Sequence, residues 1–157
     1  MSFNVQKISN DQLKQVEMSV NTIGYQSFGN DTASFLATMK ERKSGSLHHI
    51  FTVADDELVL GFVLLSVVGS EVEILQIAVE KTTRKRGLGT FLMEGILNWC
   101  KDNNVKSMYL EVRKSNRSAV KLYEKTGFEV IGERKDYYDN PIEDALIMTR
   151  RICGGKK

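Results

Sequence analysis

The chain has 157 residues, 41% hydrophobic and 27% charged, with one proline and two cysteines. That length suits one globular domain, which buries roughly 70% of its unfolded surface and needs no disulfide or metal staple. The composition excludes a disordered or fibrous chain, and a formal charge of +2 gives no support to a protein that grips nucleic acid with an all-basic surface. The mean conceals an imbalance: residues 1–80 carry 5 Lys/Arg and 10 Asp/Glu, whereas residues 81–157 carry 17 and 10. An anionic ligand is expected to meet the second half.

Phe3 to Ile8 alternates like a half-buried strand. Ser9-Asn10-Asp11 offers helix caps before Leu13, Val16 and Val20, which recur at helical spacing. Asn21 to Asn30 holds two glycines and reads as a loop. Asn30-Asp31-Thr32 caps a second helix carrying Phe35, Leu36 and Met39 on one side. Three strands in meander order follow: His49 to Ala54, Leu58 to Val68 and Val72 to Val79, joined by short polar turns. From Leu88 the period changes, and Leu88, Phe91, Leu92, Ile96, Trp99 and Cys100 make the apolar stripe of a long helix. Ser107 to Arg113 is a strand and Ser115 to Thr126 a helix stopped by Gly127. Phe128 to Tyr138 and Ala145 to Ile152 are two last strands around Asp139-Asn140-Pro141. The expected architecture is α/β, one domain over residues 1–152 with a mixed sheet, and residues 153–157 as a tail.

Cys100 and Cys153 stand at no metal-ligand spacing. Cys100 reads as a buried structural thiol, and Cys153 falls in the tail. His48 and His49 lack a nearby Cys or carboxylate at ligand spacing and read as a strand-edge pair, so no metal is expected. No stretch resembles a signal peptide, and no run approaches the roughly 18 apolar residues of a membrane span. A cytoplasmic protein in a reducing compartment, with no membrane or nucleic-acid partner, is the expectation; oligomeric state is not readable.

The strand Ile74 to Val79, a basic loop from Glu80 to Arg86, and Gly87-Leu88-Gly89 opening a helix form an anion-binding device. Free N–H groups point outward at a helix N-terminus and its dipole favours negative charge. Glycine lets the backbone turn tightly and approach phosphate oxygens, and Lys81, Arg84, Lys85 and Arg86 add attraction. A solvated βα turn is the alternative on spacing alone. Neither a Walker A pattern nor GxGxxG is present. Arg84-x-x-Gly87-x-Gly89 instead resembles the acetyl-CoA loop of the GNAT acetyltransferase superfamily. Leu110-Glu111-Val112-Arg113-Lys114-Ser115-Asn116, then Ala119-Val120-x-Leu122-Tyr123-x-x-x-Gly127-Phe128, resembles its RimI-type and N-terminal alpha-amino branches. Tyr137-Tyr138 and Glu143-Asp144-Ala145-x-Ile147-Met148 are similar to the closing hairpin of that group. The likeness spans about Ile74 to Arg150.

The resemblance implies a GNAT fold of about seven strands and four helices, with acetyl-CoA as co-substrate. Ile77, Ala78 and Val79 would offer backbone hydrogen bonds to the pantetheine arm. Lys85, Arg86, Gly87, Leu88, Gly89 and Thr90 would cradle the pyrophosphate, with Arg84 completing the motif. Asn116 would hold the pantetheine region, cap the following helix, or do both. Glu111, a carboxylate within an apolar strand, is either exposed at an edge or aimed into a cleft where low dielectric raises its pKa. The resemblance makes it the general base and Tyr123 the acid that protonates the departing thiolate. Glu73 is the competing base, placed by alternation on the same side as Leu75, Ile77 and Val79. Tyr25 and Phe28, in a segment lacking the proline-and-aromatic pattern of RimI-type enzymes, are expected at the acceptor site with Tyr137 and Tyr138. The implied reaction is acetyl transfer to a primary amine by direct attack, with a protein N-terminus, such as that of a ribosomal protein, as acceptor. A small amine, a lysine side chain, or a non-catalytic acetyl-CoA-binding module are the alternatives. Arg113, Lys114, Arg117 and Lys121 are read as a second basic cluster on the cofactor side, facing an acidic acceptor side.

Overall fold

The computed structural model describes residues 3–41 and 48–152; Cys153 and its tail lie outside them, and the side chain of Met39 is likewise outside the described part. One seven-stranded sheet runs in the order β1-β2-β3-β4-β5-β7-β6. Its strands are β1 (Phe3–Ile8), β2 (His48–Asp55), β3 (Leu58–Val68), β4 (Glu71–Val79), β5 (Ser107–Arg113), β6 (Glu129–Tyr138) and β7 (Glu143–Arg151). Every neighbouring pair is antiparallel except β4–β5. The crossover between those two carries the long helix α3 (Leu88–Asp102), as a parallel pair requires.

Helices α1 (Asn10–Phe28) and α2 (Asp31–Glu41) cover one face; α3 and α4 (Arg117–Lys125) cover the other. On the α3 side Val63, Leu65, Met108, Leu110 and Val112 pack with Leu92, Ile96 and Cys100. On the α1 side Ile50, Phe62, Leu64 and Ala78 pack with Leu13, Val20, Ile23 and Leu36. Most of each strand therefore splits by alternation between the two faces. Ser9 opens α1 as expected, its N–H bonded to Gln12 Oε1 at 2.9 Å.

The stretch 21–30 is not the loop its glycines suggested, because α1 runs unbroken to Phe28. Gly24 is buried in the helix because α2 crosses it closely: a Cβ there would lie 2.1 Å from Thr32 Oγ1. Gly29, at φ +59°, ends the helix. The expected strand-edge histidines begin β2, which is an inner strand; His49 packs on Trp99, with ring centroids 5.6 Å apart. Burial, then Lys7 and His48, holds the His49 pKa below its usual value. Cys100 is fully buried against Met108 Sδ at 3.8 Å, and burial pushes its thiol up to about 12.

Candidate active site

Beta-strand β4 carries a bulge. Leu64 pairs with Gln76 but Leu65 pairs with Ile74, which leaves Leu75 as an extra residue. The bulge reverses the alternation. Val72 and Ile74 face α3 before it, and Ile77 and Val79 pack toward α3 after it. Glu73 therefore points to the α1 side, opposite Ile77 and Val79, and the alternation expected for it holds only as far as Leu75. Pairing between β4 and β5 runs from Glu71↔Ser107 to Ile74↔Leu110. Past that point the second half of β4 is bonded to β3 on one side, and a cleft opens beside it.

Two connected cavities occupy this opening. The first, about 460 Å³, is lined by all the expected cofactor residues except Arg86: Ile77, Ala78, Val79, Arg84, Lys85, Gly87, Leu88, Gly89, Thr90 and Asn116. Lys85 at φ +69° and Gly87 at φ +79° alternate the chain into left-handed conformation, a geometry that turns successive N–H groups toward one concavity. Gly87 caps the N-terminus of α3, and the free N–H groups of a helix N-terminus suit an anion. A Cβ on Gly89 would lie 3.2 Å from Leu122, so glycine lets α3 approach α4. These residues fit a diphosphate and an extended amide arm.

The second cavity, about 400 Å³, runs between the splayed strands. Phe28 and Asp31 wall it from the α1–α2 face, Tyr123 and Ala119 from the α4 face, and Glu111 and Tyr138 from β5 and β6. Ser27, Ile77, Asn116 and Ala119 line both cavities. Asn116 also caps α4, its Oδ1 accepting from Ala119 N at 3.2 Å. Tyr123 is buried, and burial followed by the Tyr138 phenol holds its pKa well above the usual tyrosine value. Burial also pushes Tyr138 up to about 12, with Tyr137 and Glu111 adding to it.

Glu111 lies on the α1 side of β5, since Leu110 and Val112 face α3. Its Oε2 is 2.6 Å from Arg134 Nε, and the Tyr137 hydroxyl approaches Oε1 at 3.5 Å. Tyr137 and Tyr138 do not point to opposite sides. The register breaks between Arg134 and Tyr138, Asp136 sits at φ +51°, and the two rings meet edge to face at 5.0 Å. Glu73 does not line the cavity and accepts a 3.0 Å hydrogen bond from Tyr109. Tyr25 is 65% exposed on α1 and lines neither cavity.

Gln26 and Ser27 are contributors that sequence reasoning did not single out. Gln26 donates to the Glu80 carboxylate and accepts from Lys81 N at 3.1 Å. Arg84 donates to Val79 O and to Ser27 Oγ, both at 3.2 Å. The basic loop is thus clasped to the end of α1. The second basic cluster is partly spent elsewhere: Arg113 braces the hairpin through Pro141 O, Asp139 O and Glu143, and Lys114 pairs with Glu133. Neither lines the cofactor cavity.

Among the described residues no group of three or more His, Cys, Asp or Glu side chains could hold a metal, and no helix is long and apolar enough to cross a membrane. Residues 12–128 match the acetyltransferase (GNAT) family. The chain is 38% identical to the [ribosomal protein bS18]-alanine N-acetyltransferase of Salmonella typhimurium over 101 residues, 63% of this chain and 68% of that one. Over 141 residues, 88% of this chain and 89% of the other, it is 30% identical to the Haemophilus influenzae protein of the same name. The crystal structure of the Escherichia coli ribosomal-protein-S18-alanine N-acetyltransferase matches with a TM-score of 0.82 and 25% identity, covering 99% of this chain and 97% of that one. With a matching family over most of its length, a mixed seven-stranded sheet and a phosphate cradle at the start of α3, the chain belongs to the GNAT family and is an acetyl-CoA-dependent N-acetyltransferase.

Proposed function

We propose that this enzyme transfers the acetyl group of acetyl-CoA to the N-terminal α-amino group of a protein, with a ribosomal protein N-terminus as acceptor. The observation that carries the reading is one cleft through the sheet with Glu111 on one wall and Tyr123 on the other. The relatives described above are named for N-acetylation of an alanine of ribosomal protein bS18, which supports the acceptor class. Ribosomal proteins are made in the cytoplasm, and the enzyme is placed there with them.

Acetyl-CoA lies along β4, its amide arm against Ile77, Ala78 and Val79 and its diphosphate against the Lys85–Thr90 cradle. The acceptor enters from the α1–α2 face, past Phe28 and Tyr138. A protein α-amine has a pKa of about 7.7–8.0, so part of it is neutral near pH 7. Its nitrogen attacks the thioester carbonyl carbon, and Glu111 takes the proton. The carbon–sulfur bond breaks, and the Tyr123 hydroxyl protonates the leaving thiolate. A phenol held above its usual pKa by burial stays protonated and available for that step. Direct attack needs no covalent enzyme intermediate, and the buried, high-pKa Cys100 thiol is a poor nucleophile.

Glu111 ranks above Glu73 because it lines the cleft, whereas Glu73 is bonded to Tyr109 outside it. A thiol-release assay against peptides with free N-termini, N-blocked lysine peptides and polyamines tests the acceptor. Turnover confined to lysine or polyamine substrates rejects the N-terminal reading. Glu111→Gln is expected to lower kcat by roughly 10²–10⁴-fold and alter the pH–rate profile; an unchanged profile, with Glu73→Gln changing it instead, reverses the ranking.

A further inference from the structure

We propose that Arg134 is a displaceable counter-cation for Glu111: its guanidinium holds the carboxylate while the cleft contains acetyl-CoA without acceptor, and the acceptor ammonium then takes its place and sheds one proton to solvent before its nitrogen attacks. This rests on Glu111 being the base. Glu111 is nearly covered, with 13% of its side chain exposed, whereas the Arg134 side chain is 57% exposed. Arg134 Nε lies 2.6 Å from Oε2, yet that buried oxygen accepts no aligned hydrogen bond. The contact is one of charge rather than of a directed donor, and it leaves the hydrogen-bonding position of Oε2 for a better-placed N–H. Arg134 belongs to β6, the last strand of the sheet, just before its register breaks. In this paired position the guanidinium already lies over the Tyr137 ring, 5.7 Å from its centroid, and the exposed side chain can swing toward solvent without disturbing the core. Exchanging one cation for another never leaves the covered carboxylate unpaired, which is the costly outcome for a buried charge.

The exchange has a chemical purpose. A thioester in a cleft with a free carboxylate base is open to water. Water oxygen would attack the carbonyl carbon, Glu111 would take a water proton, the carbon–sulfur bond would break and Tyr123 would protonate the thiolate. The products are acetate and coenzyme A, with no amine acetylated. Arg134 on Glu111 withholds the base from that reaction.

The measurement is thiol release from acetyl-CoA at saturating donor with no amine present. Arg134→Gln is expected to raise this hydrolysis roughly tenfold or more, within the range of general-base catalysis. Arg134→Lys, which keeps the charge, should stay near the unmodified enzyme, and Arg134→Gln combined with Glu111→Gln should return to it. Hydrolysis that Arg134→Gln leaves level or lower, or a rise that survives loss of Glu111, overturns the proposal. Acceptor turnover by Glu111→Gln alone tests the base assignment separately.

Discussion

Gly24→Ala offers the sharpest test of how α1 is held against α2. In a solvated helix this substitution stabilises by about 1 kcal/mol, because glycine is the more costly residue there. Here the new Cβ would lie 2.1 Å from Thr32 Oγ1 and 2.6 Å from Thr32 Cβ. Thr32 is fully buried, and its hydroxyl donates to Gln76 Oε1 at 2.7 Å. Something has to move. Overpacking a core costs about 1–3 kcal/mol, and leaving the buried Gln76 amide without its partner costs about 1–3 kcal/mol more. After the propensity gain, a net loss of about 1–5 kcal/mol is expected, or roughly 2–20 °C in Tm for a chain of this size. The same displacement shifts Phe28 and Asp31 on the cleft wall, so acceptor KM should rise while acetyl-CoA affinity changes little. Thermal unfolding and steady-state kinetics check both. Gly24→Ala/Thr32→Gly, which returns the space to the other helix, should be less unstable than the two single losses added together. An unchanged or higher Tm for Gly24→Ala would refute the close crossing.

Tyr123→Phe should fold normally and lose the acid step, with kcat falling roughly 10²-fold or more. Because burial raises the Tyr123 pKa, its ionisation should remove no activity below about pH 10, the ordinary tyrosine value; an alkaline limb below that pH which Tyr123→Phe abolishes contradicts this. Asn116→Ala removes the cap on α4 and should cost about 1 kcal/mol together with acetyl-CoA affinity, whereas Asn116→Asp should keep the cap; calorimetry separates the two. In a Cys153→Ser background, native Cys100 should resist a thiol reagent at pH 8 and react only on unfolding, since its thiol sits at about 12. Gly87→Ala places a side chain at φ +79° and should destabilise by about 1–2 kcal/mol, with weaker coenzyme A binding in titration.

Where burial alone sets a pattern, the amino-acid sequence was readable. β1, β3 and β5 begin and end where the sequence placed them, because their apolar residues are bounded by polar turns and caps. The βα turn with Gly87 and Gly89 was legible because so few local geometries present N–H groups to a phosphate. What escaped depends on distant partners. Gly24 marks a helix crossing rather than a break, which is visible only once Thr32 is known to sit against it. The bulge at Leu75 inverts alternation without any residue announcing it and separates Glu73 from Ile77 and Val79, and the irregularity before Tyr138 brings the two tyrosine rings together. Arg113 and Lys114 look like cofactor charges in one dimension, but their acidic partners, Glu143 and Glu133, arrive from the final hairpin.

The point where β4 parts from β5 has a consequence for the protein in the cell. Beyond Ile74 one edge of β4 has backbone groups that β5 does not satisfy, and the pantetheine amides supply that pairing in the reading developed above. Acetyl-CoA then acts as a removable rung of the sheet as well as a reagent. Its binding would contribute about 2.7 kcal/mol to stability at 100 times Kd. The working protein would thus be toughest when the cell is rich in acetyl groups, and most easily opened and degraded when they run short.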